Sequence, residues 1–169
     1  MIEFAEWLGT TPLSIGVQSR TWLTPLLQSI HILMIGVVFV SILVVALRVL
    51  GRMRTDEPIA AVWQRFAPWF WTAICVMALT GIVLIIGEPV REATAMSFWL
   101  KMALIAIGVA SAVYFGRSIR SGAKGASEEV SSGSRFVAVA TIVLWLAIIF
   151  LGRAIAYDLE VWGSWHIGA

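Results

Sequence analysis

Four long apolar runs, Trp22–Leu50, Phe66–Gly87, Phe98–Gly116 and Phe136–Tyr157, set the terms on which this chain can fold. Each is close to the ~20 residues that a helix needs to cross a bilayer. The second run holds no charged residue, and the fourth is bracketed by Arg135 and Arg153 with no charge between them. A backbone in hydrocarbon has no water to bond to, so a crossing segment must be a helix or part of a closed barrel. The alternation of polar and apolar residues that marks barrel strands is absent. The fold class expected is therefore all-α, an integral membrane bundle of four transmembrane helices making a single domain over residues 1–169. With 60% hydrophobic and 13% charged residues, and a mean hydropathy of +0.91, the composition is not that of a soluble domain.

The basic residues predict which way the bundle faces. Arg48, Arg52, Arg54 and Arg65 flank the first connection, and Arg117, Arg120, Lys124 and Arg135 flank the third; only Arg20, Arg91, Lys101 and Arg153 lie on the other side. The positive-inside rule then makes those two connections cytoplasmic and puts both termini outside, N-out and C-out across a bacterial inner membrane. The chain starts Met-Ile-Glu-Phe-Ala-Glu-Trp, without the basic head of a signal peptide, so the first run reads as a retained helix. Ile2–Gly9 reads as a short interfacial helix ahead of it. The net charge of +2 gives no reason to expect nucleic acid. The expected partners are the lipid bilayer, with anionic lipid near the basic loops, and further copies or other membrane subunits.

Local punctuation fills in the rest. Gly9–Arg20 reads as a turn and connection, and Pro25 falls in the first helical turn, where a missing N–H is tolerated. Ile59–Phe66 reads as an amphipathic lead-in to the second helix, whose Trp63, Trp69 and Trp71 suit an interface. Ser97 is the expected N-cap of the third helix, and the serine- and glycine-rich Ser121–Ser134 the flexible loop. Gly108, Ala112 and Gly116 recur every four residues, a face that lets another helix approach closely. Lys101 lies seven residues before Gly108, on that same face, so its charge is expected to point into the bundle. Cys75 stands alone, so no internal disulfide can form.

The chemistry gathers around one histidine. His31 lies ~13 Å below Trp22 along the first helix, and Thr21, Thr24, Gln28 and His31 form a polar stripe that should face protein or a wet cavity. Glu88, Lys101, Arg153 and Tyr157 come from the ends of the other three helices at the same outer level. His31, Gln28, Lys101, Arg153 and Tyr157 are thus the candidate binding residues, and histidine with two fixed cations suits an anionic or acceptor-rich ligand. Haem b is one such ligand, with His31 as axial ligand and Lys101 and Arg153 on its propionates. Met77 lies at a similar depth and completes the candidate metal ligands; otherwise a haem would be shared between two copies of His31. A quinone headgroup is the second ligand, and copper on His31, Met34 and Met77 the third. A structural reading competes with all three: His31 hydrogen-bonded within the bundle, Lys101 and Arg153 snorkelling at helix ends. In the tail Val161–Ala169, two tryptophans and His166 read as an interfacial anchor.

Hydrolase and phosphate-loop motifs are absent from the sequence, so the chain is not expected to act as an enzyme on its own. Several short motifs do resemble a known grouping: Trp7-Leu8-x-x-Thr11-Pro12-Leu13-Ser14, Ile30-His31-Ile32-Leu33, Arg48-Val49-Leu50-Gly51, Pro68-Trp69-Phe70-Trp71, Phe98-Trp99-Leu100-Lys101 and Gly152-Arg153-Ala154-Ile155-Ala156-Tyr157. Together they resemble an uncharacterised family of small bacterial four-helix inner-membrane proteins. That family is distantly similar to the membrane domain of copper-resistance protein D and to four-helix b-type cytochromes. The resemblance implies metal handling or electron transfer at the inner membrane, although Tyr114-Phe115-Gly116 in the third helix offers no histidine.

Overall fold

In hydrocarbon the only cheap partner for a backbone N–H is a carbonyl four residues back, so even valine- and isoleucine-rich runs become helices. The computed structural model describes residues 2–120 and 132–163, and every regular element among them is helical. Two short helices, α1 (Ile2–Gly9) and α2 (Pro12–Gln18), precede the long α3 (Leu23–Val49) and α4 (Ile59–Gly87). A short α5 (Pro89–Thr94) leads to α6 (Met96–Arg120), and α7 (Ser132–Ala154) runs through a 3-10 turn into α8 (Asp158–Trp162). The helices α3, α4, α6 and α7, the last with its continuation to Trp162, are long and apolar enough to cross a membrane. The chain is a multi-pass membrane protein.

Several elements differ from the sequence reading, each for a local reason. The segment before Phe66 is no separate lead-in: α4 begins at Ile59 and continues through Pro68. Gly9–Arg20 is not a plain connection, because Pro12 opens α2 at the position where its missing N–H costs nothing, and the Thr11 hydroxyl accepts from Ser14 N at 3.3 Å. Most of the Ser121–Ser134 loop, and the end of the tail with His166, lie outside the described residues; residues 132–134 already belong to α7.

Ser97 is not the cap of α6. Asp158, only 5% exposed, takes that role from the far end of the chain: its two carboxylate oxygens accept from Met96 N and Ser97 N, each at 2.9 Å. A carboxylate bonded to two first-turn N–H groups satisfies orphan donors and meets the positive end of the helix dipole. The Ser97 hydroxyl instead accepts from Trp162 Nε1 at 2.8 Å, fixing α8 to the same spot.

The matching repair is made at the end of α4. Ser14 Oγ donates to the Ile86 carbonyl at 2.7 Å, and Gln18 Nε2 donates to the Gly87 carbonyl at 3.0 Å. Val17 packs so closely there that a Cβ on Gly87 would sit 3.1 Å from its Cγ1. The short helices α1, α2, α5 and α8 thus gather at one end of the bundle, called here the lid end. At the opposite, basic end, α3 stops in a Schellman motif: Gly51 has φ +69°, and Arg52 N donates to the Leu47 carbonyl at 2.9 Å. Glu57 then holds Arg54 at 2.5 Å and Arg65 at 2.8 Å, while Arg48 Nε donates to its carbonyl at 2.6 Å.

The core is filled by rings set against small residues. Phe70 meets Trp145 edge to face at 5.8 Å, and Trp63 meets Phe115 at 5.2 Å. The small face of α6 is what admits the tryptophans: a Cβ on Gly108 would lie 3.1 Å from Trp145 and Leu144, and one on Gly116 would lie 3.2 Å from Trp63. The stripe read from the sequence therefore receives indoles rather than a bare backbone. The Trp145 N–H is buried with no hydrogen-bond partner among the described residues, a cost of about 1–3 kcal/mol set against the ring's packing.

Three expectations follow for stability in detergent, read as thermal unfolding of the purified protein. Asp158→Ala should cost about 1–2 kcal/mol through the lost cap. Gly108→Leu should destabilise by at least ~1–3 kcal/mol through overpacking. Gly36→Ala, where an added methyl meets nothing within 4 Å, should be neutral or mildly stabilising.

Candidate functional site

The lid-end half of the bundle holds a polar cluster whose hydrogen bonding can be followed atom by atom. Thr80 is a lone hydroxyl in the apolar stretch between Cys75 and Glu88, and α4 presents it, buried, to α3. Its Oγ1 lies 2.9 Å from the Val76 carbonyl and 3.2 Å from that of Met77, so its single proton is committed to its own helix. His31 Nδ1 stands 2.8 Å from the same oxygen. Where the hydroxyl proton stays on its own helix, Nδ1 is the donor to Thr80 and Nε2 the acceptor left over. Gly81 gives the ring its berth: a Cβ there would lie 3.5 Å from His31 Cε1, so an alanine would just touch and a larger side chain would collide.

Lys101 reaches the cluster from α6. Its stem lies along Gly152 of α7, whose added Cβ would be 3.7 Å from Nζ. Its positive charge acts on the carboxyl of Glu92. Glu92, on α5 outside the spans, is largely buried and lies 3.5 Å from Arg91, which also pairs with Glu88 at 2.5 Å. The arrangement is one imidazole acceptor and one ammonium donor, with a carboxylate behind them.

The other residues singled out from the sequence are placed differently. Gln28 is exposed on α3, and Arg153 stacks over the Tyr157 ring at 5.6 Å, both side chains turned outward. Met77 is buried in the core beside Phe70, Ala73 and Trp145. Among the described residues no three His, Cys, Asp or Glu side chains converge as a metal site, and His31 is the one histidine. Thr80 and Glu92 were missed in the sequence. Thr80 left a trace there, as the only polar side chain between Cys75 and Glu88; Glu92, on a loop full of charge, left none.

Fold and site together define a helical multi-pass membrane protein with a half-buried histidine and a half-buried lysine toward one end. The chain belongs to the family of unknown function DUF6644, which it matches over residues 4–158. No curated protein and no solved structure matches it.

Burial raises the Glu92 carboxyl above the usual glutamate range, with Arg91 and then Lys101 pulling the other way. The folded protein therefore holds this proton more tightly than the unfolded chain does. Stability should fall as pH rises through the window between the ordinary value and the raised one. Glu92→Gln should remove that slope and be neutral to stabilising above the window, in thermal melts recorded against pH.

Proposed function

We propose that this protein is a membrane subunit of a bacterial inner-membrane assembly in which the cluster at His31 and Lys101 binds the headgroup of a redox-related ligand, a quinone or quinol before haem b. The observation that carries the reading is the 2.8 Å contact between His31 Nδ1 and Thr80 Oγ1, which fixes the ring through one nitrogen, in the half of the bundle that also holds Lys101. A quinol hydroxyl can donate to Nε2, and a quinone carbonyl can accept from Lys101 Nζ. Gln28, Arg153 and Tyr157 would border the entrance from their exposed positions.

Haem b suits the described residues less well. A metal-ligating histidine donates its other N–H to a fixed acceptor, and Thr80 Oγ1 stands where it could accept from His31 Nδ1. A second axial ligand is harder to find, because the Met77 side chain is spent in the core. Haem would then be shared between two copies, one His31 from each. Copper on His31 with Met34 and Met77 has the same weakness at Met77. The distant likeness of the family to copper-resistance protein D and to b-type cytochromes has no support from the comparisons.

A structural reading has an observation of its own. The bond between His31 and Thr80 ties α3 to α4 whether or not a ligand is present, and burying such a bond is worth about 0.5–1.5 kcal/mol. The two readings part on binding. Titration of the detergent-solubilised protein with a water-soluble ubiquinol analogue should show saturable binding that His31→Ala and Lys101→Met each weaken about tenfold or more. A wild type that binds nothing, together with a His31→Ala protein that is merely less stable, would leave the structural reading in possession.

The basic loops support an orientation with the lid end, and so the cluster, on the periplasmic side. Alkaline phosphatase fused after residue 169 should be active, and fused within the Ser121–Ser134 loop inactive; the reverse pattern would overturn the sidedness.

A further inference from the structure

At the basic end the four long helices do not close on one another. The helix α6 nears α7 at Gly108 and α4 at Gly116, but makes no broad approach to α3. Between those two contacts its Ala112 face is too small to fill the gap. What remains is a crevice of about 380 Å³, bordered by all four helices: Ile42 and Val45 of α3, Trp63 of α4, Ala112 of α6, and Val137 and Ala138 of α7. That volume falls within the range of ordinary ligand pockets. The crevice opens sideways between α6 and α7, where Ser111, Tyr114 and Val137 are exposed, on a face that meets lipid in a multi-pass protein.

Its walls can hold only something apolar. The hydroxyls of Ser111 and Thr141 are spent on carbonyls of their own helices, Ile107 at 2.8 Å and Val137 at 2.8 Å, and the rest of the lining is mainly hydrocarbon and aromatic ring. At the basic end Ser118 and Ser134 line the crevice, and their chain neighbours Arg117 and Arg135 are exposed, with Arg120 one turn end further along α6. Here the two basic connections differ. The Glu57 carboxylate pairs with Arg54 and Arg65 on the first, whereas Arg117, Arg120 and Arg135 pair with no carboxylate among the described residues.

We infer that the crevice between α6 and α7 is a binding site for an anionic phospholipid, one acyl chain lying in the apolar cleft and the phosphate held by Arg117, Arg120 and Arg135. An acyl chain supplies the only kind of surface the walls can bury without an unmet polar group. A phosphate meets the three exposed guanidiniums in the bidentate form arginine favours. The site is independent of the His31 cluster, which lies in the other half of the bundle.

The test is lipid retention. Full-length protein is reconstituted in nanodiscs of equal parts phosphatidylglycerol and phosphatidylcholine, extracted in mild detergent, and its retained lipid measured by native mass spectrometry. Phosphatidylglycerol should stay bound in preference to phosphatidylcholine. The triple variant Arg117→Gln, Arg120→Gln, Arg135→Gln should lose that preference, by roughly fivefold per arginine. Ser111→Trp, a change at an exposed position of the mouth, should lower retention of both lipids. Retained lipid with the headgroup ratio of the starting mixture would overturn the assignment. So would a triple variant as selective as wild type, or a stable dimer that holds no lipid.

Discussion

A backbone N–H or carbonyl left unpaired at the end of a membrane helix has no solvent to fall back on, and this chain closes such ends with side chains drawn from far along the sequence. Asp158 caps α6 across more than sixty residues, and Ser14 with Gln18 closes α4 across about seventy. Each repair also fixes a position. Pinning the first turn of α6 to α8 sets where Lys101, a turn further along, can reach, and Gly152 on α7 leaves the channel its stem occupies. The cap and the candidate site are thus one arrangement, with the lid end holding the lysine in the same half of the bundle as the histidine.

Charge is handled in two ways along the same chain. Near the lid end, Glu88 and Glu92 accompany Arg91, and Lys101 shares the field of Glu92 and His31. At the basic end the first connection is knit together by Glu57, while the arginines around the second face outward. Exposed arginines at a helix end in lipid suit water or lipid phosphate. The apolar crevice opening beside them gives that disposition a use.

The spans were legible because length and hydropathy alone decide whether a helix can cross a bilayer, and the small face of α6 because four-residue spacing is a property of one helix. The polar stripe through His31 did not hold together: His31 turns to α4, whereas Thr21 and Gln28 are exposed. What answers those features was not legible. The small face could have met a bare helix, and meets Trp63 and Trp145 instead; His31 could have bonded Gln28, and bonds Thr80. Ser97 looked like the cap of its own helix because serine in that position usually is one, yet a distant aspartate outcompetes it with two oxygens in place of one. Partners separated by half the chain leave no periodic signal, so they emerge only when the helices are placed side by side.

The account turns on which nitrogen of His31 carries the proton, since a ring bonded to Thr80 through Nδ1 is what leaves Nε2 free for a ligand. The direct measurement is the nitrogen spectrum of ring-labelled His31 in lipid, with Thr80→Val as comparison. The account predicts a protonated nitrogen at Nδ1, an unprotonated one at Nε2, and a response at Nε2 when a quinol analogue is added. A proton on Nε2 with Nδ1 bare, in a spectrum that Thr80→Val does not change, would contradict it.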